Sequence, residues 1–89
     1  MNDSNYRYDV RVLEKMVELN ERIIQAKTDR LDYTEDSEDS EELRASIFED
    51  RIVNMQLMAL ICNDGVADKN QYHPFGIYYA VTAKDMGIS

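Results

Sequence analysis

The chain has 89 residues, 44% of them hydrophobic and 31% charged, with a formal net charge of -8. That length supports one domain with a modest core, and the near-average composition excludes a chain too polar to fold. The acidic balance disfavours direct binding to DNA or RNA, where the favourable term comes from Lys and Arg neutralising phosphates, and favours a partner protein with a basic surface.

No apolar run is long enough to span a bilayer, and the opening MNDSNYRYD lacks the basic-then-apolar order of a secretory signal. Residues 1–89 are therefore expected to form a single small helical domain of a soluble, cytoplasmic protein. A monomer of this size is only moderately stable, so a homo-oligomer is a candidate state from the outset.

From about Tyr8 to Leu31, helical periodicity gathers Val10, Val12, Leu13, Met16, Val17, Leu19, Ile23, Ile24 and Ala26 onto one broad face. Charged residues fill the other side, and Glu18 with Arg22 forms an opposite-charge pair four apart, worth roughly 0.2–0.5 kcal/mol. Asp9, Asn20 and Lys27 interrupt the apolar face. Asn20 and Lys27 lie seven apart, where an isolated polar residue in a helical seam fixes register or oligomer state at some cost in stability. Two readings follow for this pair. In one, Asn20 and Lys27 belong to an inter-subunit seam or a pocket for a small anionic ligand such as a nucleotide; in the other, the helix rotates slightly or Lys27 snorkels at the end of the core.

The stretch TDRLDYTEDSEDSEEL, residues 28 to 43, separates this helix from the next. Between Asp29 and Asp50 ten acids face two bases, which accounts for the whole net charge, and the rest of the chain balances. The turn itself is expected at about residues 32–39. Asp39 followed by Glu42 has the form of a capping box, which predicts that the second helix starts at Asp39 and gives part of the acidic run a structural reason. Asp32 to Glu38 have no such reason. Tyr33, inside the run, either anchors the turn on the hairpin or complements Arg and Lys on a partner.

Along the second helix Leu43, Ile47, Phe48, Ile52, Met55, Met58, Ala59 and Cys62 describe an apolar arc, and Asn63-Asp64-Gly65 supplies the stop. In MQLMALIC, residues 55 to 62, Leu57 and Leu60 point away from that arc, so this end is apolar nearly all round. A segment of that kind needs cover on two sides, from the third element or from a second copy of the chain, which makes Leu57 and Leu60 candidate oligomer contacts. A polar connector follows at about residues 65–73. PFGIYYAVTAKDMGIS then reads as a short helix with Pro74 at its first position and Gly87 beyond its end. A strand at residues 76–82 competes, since Tyr and Val favour strands, but an isolated strand has no partner. The fold class is thus all-α: an antiparallel two-helix hairpin with a third short C-terminal helix.

Chemistry is sparse. Cys62 lies in the apolar segment LMALIC, where burial leaves a thiol inert, and His73 before Pro74 reads as a turn or cap residue. One Cys and one His make no zinc set, the acidic run lacks the glycine and ligand alternation of an EF-hand, and no glycine-rich phosphate loop is present. Neither an enzyme, a cofactor nor a metal is expected. The favoured function is a non-enzymatic binding protein that presents Asp32, Tyr33, Glu35, Asp36, Glu38, Asp39, Glu41 and Glu42 to a basic groove that normally holds nucleic acid. Clustered carboxylates imitate a phosphate field and raise association rates. In size and charge the chain resembles small phage-type inhibitors of host nucleic-acid machinery, including anti-CRISPR and DNA-mimic proteins, a likeness of composition. The alternatives are a helical oligomer that sequesters an anionic ligand, an architecture it shares with some phage proteins that bind nucleotide messengers, and a purely structural assembly protein. For the acidic run itself, the alternative to a binding surface is a flexible, solvated connector that keeps the molecule soluble.

Overall fold

A computed structural model describes residues 5–35, 37–68 and 75–88. The chain is an antiparallel helical hairpin of α1 (Val10–Asp32) and α2 (Ser37–Cys62), with a short C-terminal helix α3 (Gly76–Asp85) packed on α1. A two-stranded ribbon, β1 (Asn5–Arg7) with β2 (Val66–Asp68), closes the end away from the turn. The molecule is a rod, 56 × 26 × 20 Å along its principal axes.

α1 begins where Asp9 caps it: the carboxylate accepts the Arg11 backbone N–H at 2.9 Å, satisfying one of the orphan donors of the first turn. Asp9 therefore precedes the apolar face and does not interrupt it. Only the first half of that face is sealed, at Val12, Leu13 and Met16; Leu19 and Ile23 remain 37% and 48% exposed.

The core sits at the open end of the hairpin, where Val12, Leu13 and Met16 of α1 meet Leu57 and Leu60 of α2, Ala67 of β2, and Phe75 and Ala83 beside and in α3. Three short elements converge there, and the remaining length of the hairpin holds one further buried apolar residue, Ile47. The expected arc on α2 consequently divides. Ile47 turns inward, whereas Phe48, Ile52, Met55, Met58, Ala59 and Cys62 are exposed, and Leu57 and Leu60 are the residues that α1 and α3 need for their core.

The ribbon has no counterpart in the sequence reading, which treats residues 65–73 as a polar connector. It forms because α2 ends in two consecutive left-handed residues, Asp64 (φ 56°) and Gly65 (φ 79°), which return the chain alongside its own beginning. Gly65 donates its N–H to Leu60 O and accepts the Tyr8 N–H, both at 2.7 Å. Three antiparallel pairs follow, Asn5 with Asp68, Tyr6 with Ala67 and Arg7 with Val66. Residues 76–85 are helical and not a strand, closed by Gly87 (φ 76°) with Ile88 N–H on Ala83 O at 2.8 Å. His73 and Pro74 lie outside the described residues.

Candidate interaction site at the hairpin tip

Only residues 33 to 36 separate α1 from α2 in sequence. The end of α1 is closed locally: Tyr33 N–H and Thr34 Oγ1 both donate to Arg30 O, at 3.1 and 2.8 Å, and Thr34 N–H donates to Leu31 O at 3.2 Å. Ser40 Oγ reaches back to Thr34 O at 3.4 Å, tying the first turn of α2 to the connection. So short a turn starts α2 at Ser37, two residues ahead of the expected Asp39. Glu38 and Asp39 then stand inside the first turn, where negative charge suits the N-terminal end of the helix dipole.

Asp32, Glu35, Glu38, Asp39, Glu41 and Glu42 are all exposed at this end, and Tyr33 is 87% exposed, so its ring anchors nothing. Asp36, the remaining carboxylate of the set, lies outside the described residues. From Asp32 to Glu42 the sequence holds seven acids and no base. Ion pairs away from the tip join Arg7 with Asp64, Arg11 with Asp9, Lys15 and Arg22 with Glu18, and Lys27 with Asp50. That density of exposed carboxylates makes the tip strongly negative.

Asn20 and Lys27 are far from idle. Asn20 Nδ2 donates to Asp50 O at 2.8 Å and to Asn54 Oδ1 at 3.1 Å; Lys27 Nζ donates to Ser46 Oγ and Asp50 Oδ2, both at 2.6 Å. The register role of these residues is thus exercised within one chain, between α1 and α2. Their partners were missed in the sequence, although Asp50 and Asn54 stand four apart on the α2 face that also carries Ile47 and Leu57. Lys27 commits two hydrogen bonds to α2, and Leu57 and Leu60 are inside the core, 1% and 9% exposed.

A cleft of about 570 Å³ opens at the opposite end, lined by Tyr6, Arg7, Tyr8, Asp9, Val10, Asp64, Tyr79 and Ile88. Its polar groups are turned on one another: Arg7 pairs with Asp64, and Tyr79 OH accepts the Asp9 N–H at 2.8 Å. Tyr8 stacks edge-on between Tyr6 and Tyr79, with centroids 4.8 Å away on each side. Burial, and secondarily those two neighbouring phenols, raises the Tyr8 pKa above its ordinary value. Cys62 is exposed at the last position of α2, contrary to the expected burial, because the core draws on Leu57, Leu60 and Ile61 from that turn and leaves the opposite side open. Among the described residues no group of three or more His, Cys, Asp or Glu side chains could hold a metal ion, and no helix is long and apolar enough to cross a membrane.

Comparison with protein-family models, curated proteins and solved structures finds no match to the chain.

Proposed function

We propose that the chain is a non-enzymatic interaction protein whose acidic hairpin tip occupies a basic, nucleic-acid-binding surface of a partner protein, in the manner of the phage anti-defence inhibitors and DNA mimics it resembles in size and charge. One observation supports the reading: from Asp32 to Glu42 the sequence holds seven acids and no base, and the described ones, Asp32, Glu35, Glu38, Asp39, Glu41 and Glu42, are exposed at the end of a 56 Å rod. A charge concentrated at the tip of a narrow rod enters a groove with little desolvation of the rest of the molecule, and opposite charges on the groove speed the encounter. Tyr33 adds an exposed aromatic ring that an arginine can stack on.

The test is capture of heparin-binding proteins from a host lysate on the immobilised chain, with elution by duplex DNA. Capture should weaken steeply as salt rises through about 150 mM, where the screening length is about 8 Å. It should be lost when Glu35, Asp36, Glu38 and Asp39 are together replaced by Ser, and reduced by Tyr33→Ser. Capture that survives the four substitutions, or that duplex DNA fails to displace, removes the tip from the function.

A further inference from the structure

α2 carries two heptad stripes. Leu43, Ile47, Asp50, Asn54, Leu57 and Ile61, alternately four and three apart, are buried or half-buried. Asp50 and Asn54 in this stripe bond to Asn20 and Lys27 of α1. Ala45, Phe48, Ile52, Met55, Ala59 and Cys62 repeat the same spacing and are exposed at every position. At about 100° per residue the second stripe lies on the far side of the helix from α1. α3 packs on α1 and leaves it bare.

Phe48, Ile52, Met55 and the adjacent Met58 are 65%, 39%, 69% and 53% exposed. With the two alanines and Cys62 they present on the order of 500 Å² of apolar surface, at the upper end of what a soluble monomer shows as its largest patch. Adding the aliphatic stems of Arg44, Arg51 and Glu49 approaches the roughly 800 Å² that each partner contributes to a stable interface. A sustained a/d stripe of this kind is the surface another helix packs against.

The side chains in the stripe identify that helix as a second copy of α2, running antiparallel. In an antiparallel pair centred between Ile52 and Met55, Phe48 meets Ala59 of the second copy, Ile52 meets its Met55, and Ala45 meets its Cys62. Each large residue then lies over a smaller or adaptable one, and the contact repeats about a two-fold axis, as an isologous interface requires. A parallel pair stacks Phe48 on Phe48 and Ala59 on Ala59, alternating crowding with gaps. Charge decides the same way. Parallel pairing sets Arg44 beside Glu49 of the second copy, exposed pairs worth roughly 0.2–1 kcal/mol each, but also brings both acidic tips together, fourteen carboxylates at one end by sequence. Antiparallel pairing places Arg51 beside Met58 and Glu49 beside Gln56, with the tips at opposite ends. We propose that the protein is an antiparallel homodimer formed through the Ala45–Cys62 stripe of α2. The pairing does not depend on what the tips bind, and it makes the particle two-ended.

Sedimentation equilibrium at about 100 μM, where an interface of this size is populated, should give twice the 10.4 kDa chain mass. Met55→Glu should give the single-chain mass with unchanged helical circular dichroism, since Met55 makes little of the monomer's core, and Ile77→Glu on exposed α3 should remain dimeric. In the antiparallel pair the two Cys62 thiols stand about 25 Å apart along the axis, at about 1.5 Å per residue. Mild oxidation should therefore cross-link Ala45→Cys, through Cys62 of the second copy, and leave the natural chain uncross-linked. A natural chain of single mass, a dimer indifferent to Met55→Glu, or Cys62 cross-linking in the natural chain as fast as in Ala45→Cys would each overturn the proposal.

Discussion

Lys27 Nζ lies 2.6 Å from Asp50 Oδ2 across the hairpin, in a pair whose side chains are 29% and 23% exposed. Ser46 Oγ takes a second proton of the same ammonium, and the backbone carbonyl of Asp50 accepts from Asn20. The middle of the hairpin is thus joined by hydrogen bonds where its two ends are joined by apolar contact or by the turn. Partly shielded polar groups aligned in this way favour one register of α2 on α1, since sliding either helix leaves several of them unpaired.

Removing one member of that pair should destabilise more than the pair itself contributes. Lys27→Met leaves the half-buried Asp50 carboxylate without its cation and Ser46 Oγ without its donor, at a cost of about 1–2 kcal/mol after allowing for solvent screening. Asp50→Leu should cost a similar amount, and the double variant should recover part of the loss, because an apolar pair of similar volume suits a half-buried seam. Urea unfolding of the four proteins gives the coupling energy; a value indistinguishable from zero would mean that the pair sets nothing.

The hairpin and its third helix were legible because α1 and α2 repeat their apolar positions with helical period over six turns or more, and Asn63-Asp64-Gly65 and Gly87 mark the ends. Which face of α2 turns inward was not. Leu43 and Ile47 serve the inner stripe while Phe48 and Ile52 belong to the outer one, and periodicity alone does not distinguish two stripes on one helix. Asp50 and Asn54 mark the inner one only once Asn20 and Lys27 are known to face them. The β1–β2 ribbon was hidden for a different reason. Its strands are three residues each and pair residues about sixty apart in sequence, too short for an alternation signal. At the tip, the charge of Asp32 to Glu42 could be read directly, whereas the start of α2 at Ser37 depends on the length of the turn.

Gly65 and Gly87 both have positive φ, at 79° and 76°, yet they should respond very differently to alanine. A Cβ on Gly87 meets nothing within 4 Å, so Gly87→Ala should cost only the left-handed strain of about 1–2 kcal/mol. A Cβ on Gly65 overlaps the Tyr8 carbonyl oxygen, at the point where the chain closes on its own beginning. Gly65→Ala should therefore cost about 3 kcal/mol or more and separate β1 from β2, read as lost hydrogen-exchange protection at the Tyr8 amide. Equal effects of the two substitutions would contradict the close approach.

Asp9 should give the protein a measurable acid limb. Hydrogen bonds from the Arg11 guanidinium hold its carboxyl below the usual value of 3.8, and the backbone N–H groups of the first turn act in the same direction. With a folded-state value below the unfolded one, the contribution is fully present above the ordinary carboxylate range and is lost as pH falls through the lowered value. Arg11→Gln removes the main cause of the shift and keeps the cap, so the folded-state Asp9 value should move up toward 3.8 and stability should respond less to acid over that window. Asp9→Asn keeps an N-cap acceptor without a titrating group and should remove Asp9's own share of the response. Nuclear magnetic resonance titration of the Asp9 carboxyl, together with thermal unfolding between about pH 2 and pH 6, tests both expectations. An Asp9 midpoint that does not move in Arg11→Gln would show that the cap and not the guanidinium sets its charge state.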